Sequence, residues 1–188
     1  MQTIQQRFDC TIEVNRSKFI AYLIPYKESE GVLKKLKEQH PKASHIVYAL
    51  RYINKFDQIV ENSTDNGEPK GCAGVPVLNV LRGNHLVDSA VYIVRYFGGI
   101  KLGTGGMARA YASAAKHVID IASVVRYEEE DTYLFSTSYK DIDKTQYRLK
   151  QHNLSIIQRD FGSEDVTWKI SGSKEKIQQF IQVNKAYR

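Results

Sequence analysis

Five of the chain's twelve glycines, at 98, 99, 103, 105 and 106, fall within nine residues of RYFGGIKLGTGGMARAY (95–111), and Arg95, Lys101 and Arg109 flank them. Ordered glycine costs backbone entropy, so such a cluster marks either backbone geometry that side chains forbid or close approach of a ligand. The nearly continuous apolar run VYIVRYF (91–97) before it reads as a central strand, and the small residues Ala108, Ala112 and Ala115 after it recur at helical spacing. A strand, a glycine loop and a helix running to about 122 therefore form one unit that the rest of the fold must accommodate.

Around that unit the sequence predicts an α+β chain. Strands over 8–14 and 17–24 form a hairpin about Asn15-Arg16, a helix over 28–40 stops before Pro41, and strands follow at 45–53 and 56–61. The stretch ENSTDNGEPKGCAGVP, dense in turn-forming residues, is an ordered loop leading to an apolar helix at 76–82. Four acidic residues, Glu128 to Asp131, mark a domain boundary, giving domains 1–127 and 128–188. Beyond it come strand 132–139, helix 142–152, strands 154–161 and 165–171 and helix 174–184, with Asp141 and Ser173 as N-caps. The order βαββα suits a small ferredoxin-like sheet with its helices on one face.

Charge divides at the same place. Seventeen of 27 Lys and Arg but eleven of 21 Asp and Glu precede Glu128, so the whole excess of +6 lies in 1–127, while 128–188 balance at ten against ten. The basic half is the half with the glycine loop, which points to an anionic partner such as nucleic acid, phosphate or an acidic protein face. No apolar run approaches a membrane span, and the opening MQTIQQRFDC lacks the layout of a secretory signal. Cys10 and Cys72 form no CxxC pair. The sequence thus predicts a soluble cytoplasmic protein with reduced thiols and no membrane partner.

Gly103-Thr-Gly105-Gly-Met-Ala108 matches GxGxxA, but Gly98 to Leu102 separate it from the strand and Asp120 lies inside the helix, so a dinucleotide fingerprint does not fit. Nor does a P-loop, since no GK[ST] follows. What remains is generic anion binding by backbone N–H groups at a glycine loop and helix N-terminus, with Lys101, Arg109 and Lys70 as cations. The other reading is that the glycines only turn the chain. Arg95 alternates in phase with Val91, Ile93 and Phe97, which predicts partial internal pairing. Asp65 and Glu68 are candidates for carboxylate chemistry, although Asn66-Gly67 and Glu68-Pro69 explain the segment as turns. The five histidines show no metal-ligand spacing, and no cofactor or metal is implied. Tyr48, Tyr52, Tyr92 and Tyr96 lie on strands, where core packing outweighs base stacking.

Taken together, EPKGCAGVPVLNVL and VYIVRYFGGIKLGTGGMARAY resemble the IMPACT/YigZ family, whose pattern runs roughly as DDGEPxGTAGxP and then RYFGGxxLGxGGLxRAY. Gly67, Glu68, Pro69, Gly71, Ala73, Gly74 and Pro76 match the first motif. Arg95 to Gly99, Leu102, Gly103, Gly105, Gly106 and Arg109 to Tyr111 match the second. Ser17 to Ala21, His45 and Ala49 fit the family's opening strands. Asn66 stands where the pattern has a second Asp, and Cys72 where it has Thr. The resemblance covers about the first two thirds, and 132–188 resemble the second domain of the bacterial branch. It implies a first domain like domain four of elongation factor G and related ribosomal-protein domains, containing a left-handed βαβ crossover, and a ferredoxin-like second domain. It also implies a translation-associated regulatory binding role, the basic first domain contacting RNA, the ribosome or an acidic, translation-related protein partner. The anion or partner contacts would be Arg95, Gly98, Gly99, Lys101, Gly103, Gly105, Gly106, Arg109 and Lys70, beside the loop motif Asp65, Gly67, Glu68 and Pro69. The alternative is a protein acting on a phosphate-containing small molecule at the glycine loop, with Asp65 or Glu68 as base or metal ligand.

Overall fold

The computed structural model describes residues 1–185 and is α+β, with two compact units, Met1–Tyr127 and Glu128–Arg188. In the first unit, β2 (Phe8–Val14) and β3 (Ser17–Pro25) form a hairpin. Its two turn residues, Asn15 and Arg16, both take positive φ, 45° and 65°, the twist that a two-residue hairpin turn requires. Then follow α1 (Val32–Gln39), β4 (His45–Ile53), β5 (Ile59–Thr64), α2 (Gly74–Gly83), β6 (Ser89–Tyr96) and α3 (Gly103–Asp120). A short β1 (Gln2–Ile4) pairs with β7 (Val124–Arg126), a closure that the sequence pattern does not signal. The strand expected at 56–61 starts only at Ile59, because Asn54 Oδ1 accepts from the N–H groups of Phe56 and Gln58 and Asp57 takes φ 57°. The segment 54–58 is a turn instead.

The five-stranded sheet has the order β2-β3-β6-β4-β5, every neighbour antiparallel. Alternation along the strands sorts side chains to two faces. Phe19, Ala21, Leu23, Val47, Ala49, Val91 and Ile93 pack beneath α2 and α3, while Ile24, Ile46, Ala90, Tyr92 and Val94 pack beneath α1. β3 and β4 run parallel on either side of β6, and β5 and β6 on either side of β4. Both pairs are therefore joined by crossovers, through α1 and through α2. These move across the sheet in opposite directions, along opposite strand directions, with their helices on opposite faces. The two must be of opposite hand, so one is left-handed, against the usual preference.

The second unit is β8 (Glu130–Ser138), α4 (Ile142–Gln151), β9 (Ser155–Phe161), β10 (Asp165–Ser173) and α5 (Lys174–Lys185). Its antiparallel sheet has the order β8-β10-β9. Trp168, Ile170 and Val166 face Leu149, Ile177 and Phe180 of the helices, and Trp168 Nε1 donates to Thr137 Oγ1. Glu130 and Asp131 belong to β8, so the acidic run is partly strand. Asp141 makes no side-chain cap bond; Ser138 Oγ donates to its carboxylate.

Candidate functional site

The segment 65–73 is held by one carboxylate. Asp65 Oδ2 accepts from the Gly71 N–H at 2.8 Å, and Oδ1 from those of Ala73 and Gly74 at 3.0 and 2.8 Å. Asp65 thereby caps α2 from nine residues upstream. Burial by itself would raise its pKa, but these backbone bonds outweigh it and hold the carboxyl below the usual carboxylate range. Asn66 and Gly67 take positive φ, 44° and 90°, and the Asn66 amide donates to the Ile46 carbonyl at 2.6 Å. Where the motif has a second carboxylate, this chain thus uses an amide to fasten the loop to β4. Gly67 lies against the His45 ring, where an added Cβ would come within 3.1 Å of Nδ1.

Glu68, 8% exposed, is turned inward by this tight turn. Its Oε1 accepts from Arg95 Nη1 at 2.5 Å and from the Tyr111 hydroxyl at 2.7 Å. Arg95 lies one residue before the end of β6, Tyr111 lies on α3, and Glu68 comes from the loop before α2, so the two sequence motifs meet in one buried ion pair. Arg95 Nη1 also reaches the Met107 sulfur at 3.4 Å, and the guanidinium packs over the Phe19 ring. Its Nε is buried with no partner among the described residues. Burial and the bond to Glu68 push the Tyr111 phenol far above its ordinary pKa. His45 Nε2 stands 3.8 Å from Glu68 Oε2, while its Nδ1 donates to the Asn66 carbonyl at 3.0 Å. Arg95, placed above among the anion contacts, is instead internal, 6% exposed and neutralised by Glu68. Asp65 and Glu68 likewise accept from internal donors, Glu68 buried and Asp65 half-buried.

The glycine segment divides by role. A Cβ at Gly98 would lie 2.0 Å from the Arg16 carbonyl carbon, so this position admits no side chain while the β2–β3 turn packs on it. Gly99 and Gly103 take φ of 87° and 68°, both exposed. Gly105 and Gly106 lie in the first turn of α3, and Arg109 Nη1 lies 3.5 Å from where a Gly105 Cβ would stand, so the guanidinium folds back along the helix toward that turn. Lys101, Lys70 and Arg109 are all exposed. None of the three forms an ion pair among the described residues. Arg16 and Lys18 stand at the same end of the sheet, Arg16 in the turn that touches Gly98 and Lys18 opposite Tyr96.

Sequence reasoning missed two groups here. Ser44 and Ser17 hold the strand exit, their hydroxyls accepting from the Phe97 and Gly98 N–H groups at 3.2 and 3.1 Å. The other is Phe97, which the apolar run makes the end of a core strand but which is half exposed. The strand tyrosines are engaged elsewhere: Tyr92 is buried beside Tyr48, Tyr52 stacks on Tyr26, and Tyr96 bonds to His40. A cavity of about 720 Å³ is lined only by residues of the second unit, with none from either motif. Among the described residues no group of three His, Cys, Asp or Glu side chains is placed to hold a metal ion, and no helix is long and apolar enough to cross a membrane.

Residues 15–119 match the family model of the Impact N-terminal domain. The chain is 32% identical over 152 residues to the IMPACT family member YvyE of Bacillus subtilis, covering 79% of this chain and 69% of that protein. It is 30% identical over 155 residues to an IMPACT family member of Haemophilus influenzae, covering 79% and 74%, and 28% identical over 152 residues to YigZ of Escherichia coli, covering 79% and 74%. A crystal structure described as a hypothetical protein superposes with a TM-score of 0.72 at 24% identity, over 99% of this chain and 91% of that one. That likeness concerns the fold and spans both units.

Proposed function

The chain belongs to the IMPACT family, and from that premise we propose that it is a translation-associated binding protein, whose first unit contacts an anionic partner through the end of the sheet carrying the glycine segment. The observation that carries this reading is the division of charge within the two motifs. Their carboxylates, Asp65 and Glu68, accept from internal donors, while Lys70, Lys101 and Arg109 keep solvent access. Cations without internal partners are available to phosphate or carboxylate groups of another molecule. Residues 1–127, with all of the net charge of +6, bring a field of the same sign to that end. Glu68 and Arg95 serve as the internal brace that fixes the two motifs against each other.

The regulatory role at translation comes from the family resemblance, and the charge pattern supports it without selecting the partner. Co-sedimentation with purified ribosomes, across rising salt, tests it. The wild type should sediment with ribosomes at low salt and be released as salt rises. Lys101→Glu with Arg109→Glu should remain in the supernatant while keeping its circular dichroism spectrum. Equal sedimentation of the two proteins would contradict the reading.

A further inference from the structure

Phe97 combines two properties that rarely meet in an unused side chain. It is fixed, because its N–H is held by Ser44, the following Gly98 N–H is held by Ser17, and Gly98 is pressed against the Arg16–Ser17 backbone. It is also 50% exposed, with Ile100 three residues on at 42%. The Arg95 guanidinium lies 5.8 Å from the Phe97 ring centre, a cation–π contact that supports the ring from within. No acidic residue occurs from Phe97 to Arg109, and Arg16, Lys18 and Lys101 are exposed at the same end.

We propose that Phe97 is a stacking platform for a nucleobase of single-stranded RNA, with Ile100 at the edge of the base and Arg16 and Lys101 meeting the adjoining phosphates. This rests on the reading of that end as an anion-contacting surface, and names the partner. Charge alone would suit an acidic protein as well as RNA. An apolar ring held rigidly among cations matches the pairing of π-face and phosphate that an unpaired nucleotide offers and a duplex conceals. The segment that follows the ring fits this better than a protein partner, since besides Ile100 its exposed residues include Gly99, Lys101, Gly103 and Gly105 and form no contiguous apolar patch.

The test is fluorescence anisotropy of the full chain with a labelled ten-nucleotide single-stranded RNA, and with the same strand in a duplex. Phe97→Ala and Phe97→Leu, the latter keeping an apolar contact for Arg95, should each weaken binding of the single strand by about 5- to 150-fold. Their dependence on salt should not change, and Phe97→Tyr should bind like the wild type. Wild-type affinity in both Phe97→Ala and Phe97→Leu, or equal affinity of the wild type for strand and duplex, would overturn the proposal. If Lys101→Glu with Arg109→Glu still abolished binding while the Phe97 variants kept it, stacking would fall and the anion-contacting surface would stand. If neither set weakened binding, both would fall.

Discussion

Glu68→Ala removes from Arg95 its carboxylate partner among the described residues, and the cost follows from their burial. The side chains are 3% and 7% exposed, so solvent screens the pair little. Arg95 Nε already lacks a partner among the described residues, and without Glu68 the guanidinium keeps only the Met107 sulfur and two ring faces there. Breaking a buried pair from one side costs about 3–5 kcal/mol, and the Tyr111 hydroxyl, deprived of its acceptor, pushes the cost to the upper end of that range. At an m-value of about 2 kcal/mol/M the urea midpoint should fall by about 2.5 M. Far-UV circular dichroism should report the loss, whereas fluorescence of Trp168, the chain's one tryptophan and a residue of the second unit, should not move. Glu68→Gln, which keeps an acceptor for Arg95 and Tyr111, should lose about half as much and leave partner binding nearly intact. Glu68→Leu with Arg95→Met and Tyr111→Phe removes all three polar groups together and should recover most of the stability. A Glu68→Ala midpoint corresponding to a loss below about 1 kcal/mol would refute the view that this pair braces the two motifs.

Gly98→Ala should displace the glycine segment from the β2–β3 turn, because a Cβ there meets the Arg16 backbone at 2.0 Å; the loss, read as a lower thermal midpoint, should exceed the roughly 1–3 kcal/mol usual for overpacking. Asp65→Ala should cost about 1–2 kcal/mol at neutral pH. Since the folded carboxyl titrates below its unfolded value, that difference should persist above about pH 4 and vanish as pH falls through the folded pKa, a trend that urea titrations at several pH values would follow. Limited proteolysis should cut first between Tyr127 and Glu130, the strand-free stretch where the two compact units meet in sequence; first cleavage inside either sheet would count against two separable domains.

The elements of the chain are legible where pattern and punctuation agree. Alternation in FDCTIEV, the apolar run before the glycines and the Ala spacing after them each fix one element within a residue or two. The 54–58 turn escapes the pattern because Phe56 counts as a strand former until Asn54 is seen to fold back on it. Pairing of β1 with β7 joins segments more than a hundred residues apart, which no local pattern encodes. At the site, the strand phase of Arg95 foretells an internal partner, but a carboxylate 27 positions away in a turn-rich loop can be identified only in three dimensions. The phase of Phe97 predicts burial as well. It fails because the sheet ends at Tyr96 and α3 begins only at Gly103, so nothing of the strand's own cover extends over the ring.

That the basic end of the first unit engages an anionic partner through Lys101 and Arg109 is tested most directly by the slope of log affinity against log salt for a single-stranded RNA. The wild type is compared with Lys101→Glu/Arg109→Glu. Removing one phosphate-neutralising cation flattens that slope by about 0.7, so removing two predicts a change of about 1.4, together with weaker binding and an unaltered circular dichroism spectrum. A folded double variant with the wild-type affinity and slope would contradict it, and would leave the glycine segment with the roles its geometry already requires, the close approach at Gly98 and the positive φ of Gly99 and Gly103.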